Sequence, residues 1–164
     1  MVFIALKIKC QMENVTNLHA PPGYQWCLTV KQSDGSEEKG PVFVNEEEDI
    51  DLNGSKGTAH FVMKFEGSNK ESYLNVVRDL KNVTKPYNEE DVGSWVTICV
   101  FECRGLEPIT WHPQAGFNAQ STGGKRFEGE VDLTEDWCEY DDNKDLSLEI
   151  TELEHCFETV KVKK

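Results

Sequence analysis

Lys7, Lys9, Gln11 and Glu13 alternate with Ile8, Cys10 and Met12. Successive side chains of a strand point to opposite faces, so this period of two predicts a long, half-buried strand at the start of the chain. The same pattern returns in YQWCLTVKQ (24–32), TAHFVMKF (58–65), WVTICVFE (95–102) and LSLEI (146–150). Residues 95–102 are the most β-prone of these and predict a central strand. Turn chemistry separates the runs. Asp34-Gly35 tolerates the positive φ of a tight hairpin, and NGSKG (53–57) and EGSN (66–69) are turns of the same kind. NVTNLHAPPG (14–23) and the polar stretch 78–91, which holds Pro86, read as loops. The final run shifts phase near Thr151, as a bulged strand does. Helical signal is confined to TEDWCEY (134–140), which reads as a short helix or a single turn with Thr134 as N-cap. The expected fold is mainly β, a single domain over 1–164 of antiparallel sheets, sandwich-like, with at most a short helix.

Charge limits the partners. Thirty acidic against 17 basic residues give a net charge of −13, a field that repels phosphate backbones and anionic membranes. The expectation is no nucleic acid and no membrane, leaving a protein partner. The opening apolar run spans only five residues, and nothing approaches the ~18 of a membrane span. A cytoplasmic chain is expected, small enough to be nuclear also, with its six cysteines as reduced thiols.

Three constellations invite chemistry. Asp141, Asn143, Asp145 and Glu152 occupy positions one, three, five and twelve of a calcium loop, but Leu146 stands where the sharp turn needs Gly. Cys99 and Cys103 share a strand face and, with His112 and His155, could offer zinc donors, yet no C-x-x-C knuckle occurs anywhere. Cys103, His112 and Glu107 or Glu102 could form a Cys-His hydrolase, except that acids beside Cys103 oppose a thiolate and no helix start supports it. No reading of these residues outweighs a structural one, so no enzyme is expected.

The stretch FECRGLEPITWHPQAGF (101–117) crowds charged and aromatic side chains together. Arg104 between Glu102 and Glu107 can make a forked ion pair, Gly105 permits a bend, and Trp111 and Phe117 can anchor the segment to the core. With His112 these residues compose a rigid corner, a scaffold that can also present a binding surface.

The run KPYNEED, then FECRGLEP, then PQAGF, with DW-x-x-YD and a terminal β segment, resembles the family of small eukaryotic CXXC-motif-containing zinc-binding proteins over essentially the whole chain. Members carry two C-x2-C knuckles sharing one zinc. The resemblance places those cysteines at Gln32 and Gly35 and at Phe65 and Ser68, and none of the four is a cysteine here. It therefore implies the fold without the cofactor: no zinc, and a protein-interaction or scaffold module. It further implies that tips 33–36 and 66–69 lie together.

Overall fold

The computed structural model describes residues 1–54 and 56–162. Among the described residues fourteen strands pair antiparallel throughout. Strand β1 (Val2–Glu13) is the predicted opening strand, with Ile4, Leu6, Ile8 and Cys10 buried. On its polar side Lys7 and Lys9 reach Glu158 and Glu154 of β14 (Leu146–Val160) at 2.7 and 3.4 Å. Such surface pairs contribute at most about 1 kcal/mol each.

The six-stranded sheet runs β13 (Trp137–Asp141), β14, β1, β9 (Val96–Arg104), β8 (Ser72–Val77), β7 (Phe61–Met63). The predicted central strand is β9, flanked by β1 and β8. The phase shift in the last run is a bulge. Lys9 opposes Glu154 and Gln11 opposes Thr151, so Glu152 and Leu153 both stand opposite Cys10, and Glu152 takes a φ of 55°.

Two three-stranded sheets cover this one: β10 (Leu106–Trp111), β3 (Trp26–Gln32), β4 (Glu38–Val44), and β12 (Arg126–Asp132), β11 (Ala115–Ser121), β2 (Val15–His19). A short pair, β5 (Ile50–Asp51) and β6 (Thr58–Ala59), completes the set, and Ser55 of the NGSKG turn lies outside the described residues. One core joins the three larger sheets. Trp26 of β3 meets Phe101 of β9 at 5.7 Å, Trp111 of β10 at 6.0 Å and Phe117 of β11 at 6.2 Å between centroids. Each such ring pair adds about 0.5–1.5 kcal/mol beyond area burial.

Three local expectations are corrected. NVTNLHAPPG is not all loop, because its first half is β2, paired with β11 and bridged at Leu18 to Tyr87. Asn14 and Asn17 take positive φ, which hides the strand from propensity reading. TEDWCEY opens with the single turn and not with the short helix. Thr134 donates its N–H and hydroxyl to Asp132 Oδ1 (2.9 and 2.6 Å), closing a turn, and Trp137 then enters β13 against Phe127 at 5.3 Å. TAHFVMKF breaks at His60, whose N–H donates to Asn75 Oδ1 (3.0 Å) and whose Nδ1 accepts from Val76 N–H (2.8 Å). The one short helix among the described residues is instead a 3₁₀ turn, Glu89–Asp91.

Candidate functional site

The first tip closes the β3–β4 hairpin where the sequence predicts a turn, Gln32 N–H donating to Glu37 C=O at 2.9 Å, but the loop is four residues long (33–36) and neither Asp34 nor Gly35 takes the positive φ of a tight Asp-Gly turn. The second follows β7. Ser68 N–H donates to Phe65 C=O at 3.1 Å, and Gly67 supplies a φ of 80° that other residues resist. Between them, Glu66 N–H donates to the Glu37 carboxylate at 3.3 Å.

A third segment ties both hairpins together. Gly105 C=O accepts from Ser33 N–H at 3.1 Å, while a Cβ on Gly105 would stand 2.5 Å from Ser72 Oγ at the start of β8. With a φ of 78° as well, this position admits only glycine without strain. The bend in FECRGLEP thus lets β9 turn into β10 while packed between the hairpins.

Around that junction the four aligned positions offer poor chemistry for zinc. Gly35 and Phe65 have no side-chain donor, and Phe65 is only 2% exposed. Ser68 Oγ is committed to Lys70, donating to its C=O at 3.2 Å and accepting from its N–H at 3.3 Å. Gln32 lies folded over Gly35, its Oε1 2.5 Å from where a Cβ would be. The residues present do not fit a tetrahedral ion.

The corner divides. Trp111 is in the core, as expected, with His155 packed edge-on at 5.9 Å. The forked ion pair does not form. Glu102 accepts from Asn75 Nδ2 (3.4 Å), Glu107 lies on the next strand opposite Lys31, and Arg104 is exposed, with no ion pair among the described residues. The bend at Gly105 carries Glu107 into a different sheet from Arg104. His112 N–H donates to Cys27 C=O (2.8 Å) and its Nε2 bonds Thr29 Oγ1 (2.8 Å).

The hydrolase constellation is not assembled. Cys103 is 1% exposed, its Sγ donates to Phe101 C=O rather than to His112, and burial, then Glu107 and Glu102, push its thiol up to about 12. A thiol held protonated is no nucleophile. The alternative zinc set fails similarly. Burial raises Cys99, and His155 Nε2 is occupied by Trp111 N–H at 3.2 Å. Among the described residues no three His, Cys, Asp or Glu side chains gather to hold a metal. The calcium loop also comes apart. Asp141 is buried and accepts from Ser121 Oγ and Asn143 N–H, while Glu152 sits in the β14 bulge six residues beyond Leu146, about 20 Å along the strand.

Two features escaped sequence reading. Phe43 and Ile109, on the outer strands of the β10–β3–β4 sheet, are 55% and 37% exposed. The polar 78–91 stretch roofs a cleft of about 260 Å³ between β2, β3 and β9, lined by His19, Trp26, Arg78, Lys81, Thr84 and Ile98 among others. Its signal was the cluster of Arg78, Lys81 and Lys85 in an otherwise acidic chain.

Comparison with known proteins agrees with the architecture. The family model described as CXXC motif containing zinc binding protein, eukaryotic, matches residues 5–158. The Homo sapiens CXXC motif containing zinc binding protein is 35% identical over 158 residues, covering 94% of this chain and 96% of its own. The Drosophila melanogaster UPF0587 protein CG4646 is 36% identical over 169 residues, covering both chains completely. Of solved structures, C1orf123 superposes with a TM-score of 0.87 at 34% identity, over 96% of this chain and 99% of that one. A hypothetical protein from Plasmodium falciparum gives 0.87 at 29%, over 98% and 100%.

Proposed function

Because the chain belongs to the eukaryotic family of CXXC motif containing zinc-binding proteins, we propose that it is a non-enzymatic protein-interaction module that keeps the family fold and has dispensed with zinc. The observation that carries this reading is the hairpin junction. Glu66 N–H donates to Glu37 between the two hairpins, and the four positions where the resemblance places the ligands of a shared ion hold Gln32, Gly35, Phe65 and a Ser68 committed to Lys70. Structural zinc contributes on the order of 10 kcal/mol in small domains. Here the aromatic core spanning three sheets supplies an alternative source of stability.

Protein interaction is supported by the exposed apolar side chains of Phe43 and Ile109 on the two outer strands of one sheet. The net charge of −13 favours a partner with a basic rim around an apolar centre. The family description names zinc binding and no reaction, and the buried, protonated state of Cys103 supports the non-enzymatic reading.

The test is affinity capture from cytosol with the native protein, with a Phe43→Ser/Ile109→Ser variant and with Arg104→Ala. Partners held by the native chain and lost from the double variant are expected; identical sets from all three proteins would remove this face and the corner as binding surfaces. The cytoplasm is the proposed compartment.

A further inference from the structure

A wider cleft of about 590 Å³ opens at the start of β8, where three strands deliver basic side chains to one place. Lys64 follows β7, Lys70 precedes β8 and Arg104 closes β9, and all three line the wall together with Tyr73. The register explains the convergence. Met63 opposes Ser72 and Tyr73 opposes Arg104, while the next pair, Leu74 and Cys103, is buried. Alternation along the strands therefore sends Tyr73 and Arg104 to the face away from the core, side by side.

The frame is fixed by bonds that leave these side chains free. Asn53 N–H donates to Glu71 Oε1 at 2.6 Å, tying the segment after β5 to the start of β8. Ser68 Oγ holds both the C=O and the N–H of Lys70. Among the described residues the side chains of Lys64, Lys70 and Arg104 form no hydrogen bond or ion pair, and the Tyr73 hydroxyl is equally uncommitted. With the backbone already held, binding has only side chains to order.

The charges on this wall do not cancel. Glu71 is the one carboxylate among the described lining residues, and Asn53 N–H already occupies one of its oxygens. Glu102, two residues before Arg104 on β9, accepts from Asn75 Nδ2 at 3.4 Å and lies outside the lining. Three cations against one anion leave an excess of two positive charges, in a chain whose acids outnumber its bases 30 to 17. That local reversal selects an anion, and its size selects a double charge. A phosphoryl group carries about −1.5 to −2 at neutral pH and presents three acceptor oxygens to donors arriving from three segments. A monocarboxylate would leave one cation unmatched. The surrounding charge of −13 turns away extended polyanions, which restricts the ligand to a small one.

We propose that this cleft binds a single phosphoryl group, free or carried on a small ester, its oxygens meeting Lys64, Lys70, Arg104 and the Tyr73 hydroxyl. Arg104 also belongs to the corner tested for protein partners, whereas Lys64 and Lys70 do not, so a variant of the two lysines reports on this site alone and leaves the zinc-free interaction reading untouched.

The experiment follows the backbone amide resonances of the ¹⁵N-labelled full chain while inorganic phosphate, phenyl phosphate or benzoate is added at constant ionic strength and neutral pH. Phosphate and phenyl phosphate should shift the amides of Lys64, Lys70, Tyr73 and Arg104 saturably; tighter binding of the phenyl ester assigns the site to esters, and equal binding assigns it to free phosphate. Benzoate, the same ring with a single charge, should bind more weakly than phenyl phosphate. Lys64→Gln/Lys70→Gln changes two exposed side chains, and its other amide resonances should stay in place. It should weaken both phosphates at least about fivefold, the loss of two exposed charge contacts. The proposal is overturned by shifts that do not saturate or that fall elsewhere on the chain, by benzoate binding as tightly as phenyl phosphate, or by full affinity in the double variant.

Discussion

The backbone N–H of Glu66 donates to the carboxylate of Glu37 across 3.3 Å, joining two hairpins separated by 29 positions. This places the second tip directly beside the first, as the resemblance implied. The bond is solvent-exposed, so Glu37→Ala should cost less than about 1 kcal/mol of stability. It should nevertheless speed amide exchange at Glu66 several-fold, relative to amides in β3 and β8. Unchanged exchange would mean that other contacts hold the tips together.

Phe65 and Ser68 occupy the two aligned positions of the second tip, and their burial differs sharply. Phe65→Ala should destabilise by about 3–5 kcal/mol, as for a buried aromatic, and Ser68→Ala by less than about 1 kcal/mol. Phe65→Cys, which installs the family's residue alone, should lower stability nearly as much as alanine. Chemical denaturation of the three variants reads these values, and a neutral Phe65→Cys would argue against a core role for the ring.

How far the sequence reveals this architecture depends on which forces act locally. β1, β9, the Asp34-Gly35 hairpin and the β14 bulge were legible because alternation and turn chemistry operate within a few residues. β13 was not, because Thr134 carries a genuine capping signal that long-range burial of Trp137 against Phe127 overrides. Gly105 read as a bend, but its closeness to Ser72 and Ser33 depends on three segments meeting and leaves no mark on any one of them. The ion pair expected of Arg104 failed because the bend at that glycine takes Glu107 into another sheet. The cleft under 78–84 was hidden for the same reason: its walls come from four separate parts of the chain.

His155 gives the fold a pH dependence. Burial first, and then the nearby His112, hold its imidazole below its ordinary value of 6.5, and its Nε2 must be unprotonated to accept from Trp111 N–H. A folded-state value below the unfolded one means that the unfolded chain takes up the proton first as pH falls. This contribution is therefore complete above about pH 6.5 and declines as pH drops through that value toward the lower folded one. Melting temperature should fall between about pH 7 and pH 5, and His155→Gln should be less stable at neutral pH but show a flatter profile. An equally steep profile in the variant would assign the dependence to other groups.

Thiol reactivity separates buried from accessible cysteines. Cys10, Cys27, Cys99 and Cys103 are buried, and burial raises each of them. Alkylation of the native protein near neutral pH should modify Cys138 and Cys156, with the other four reacting only on unfolding. Selective early labelling of Cys103 would revive the hydrolase reading.

The central claim is that the family fold stands here without the family's metal, and elemental analysis tests it most directly. Protein produced with zinc in the medium, dialysed against metal-free buffer without chelator and quantified for zinc per chain, should carry far less than one equivalent. One equivalent of zinc retained per chain would contradict the account, because the side chains of Gln32, Gly35, Phe65 and Ser68 cannot hold it.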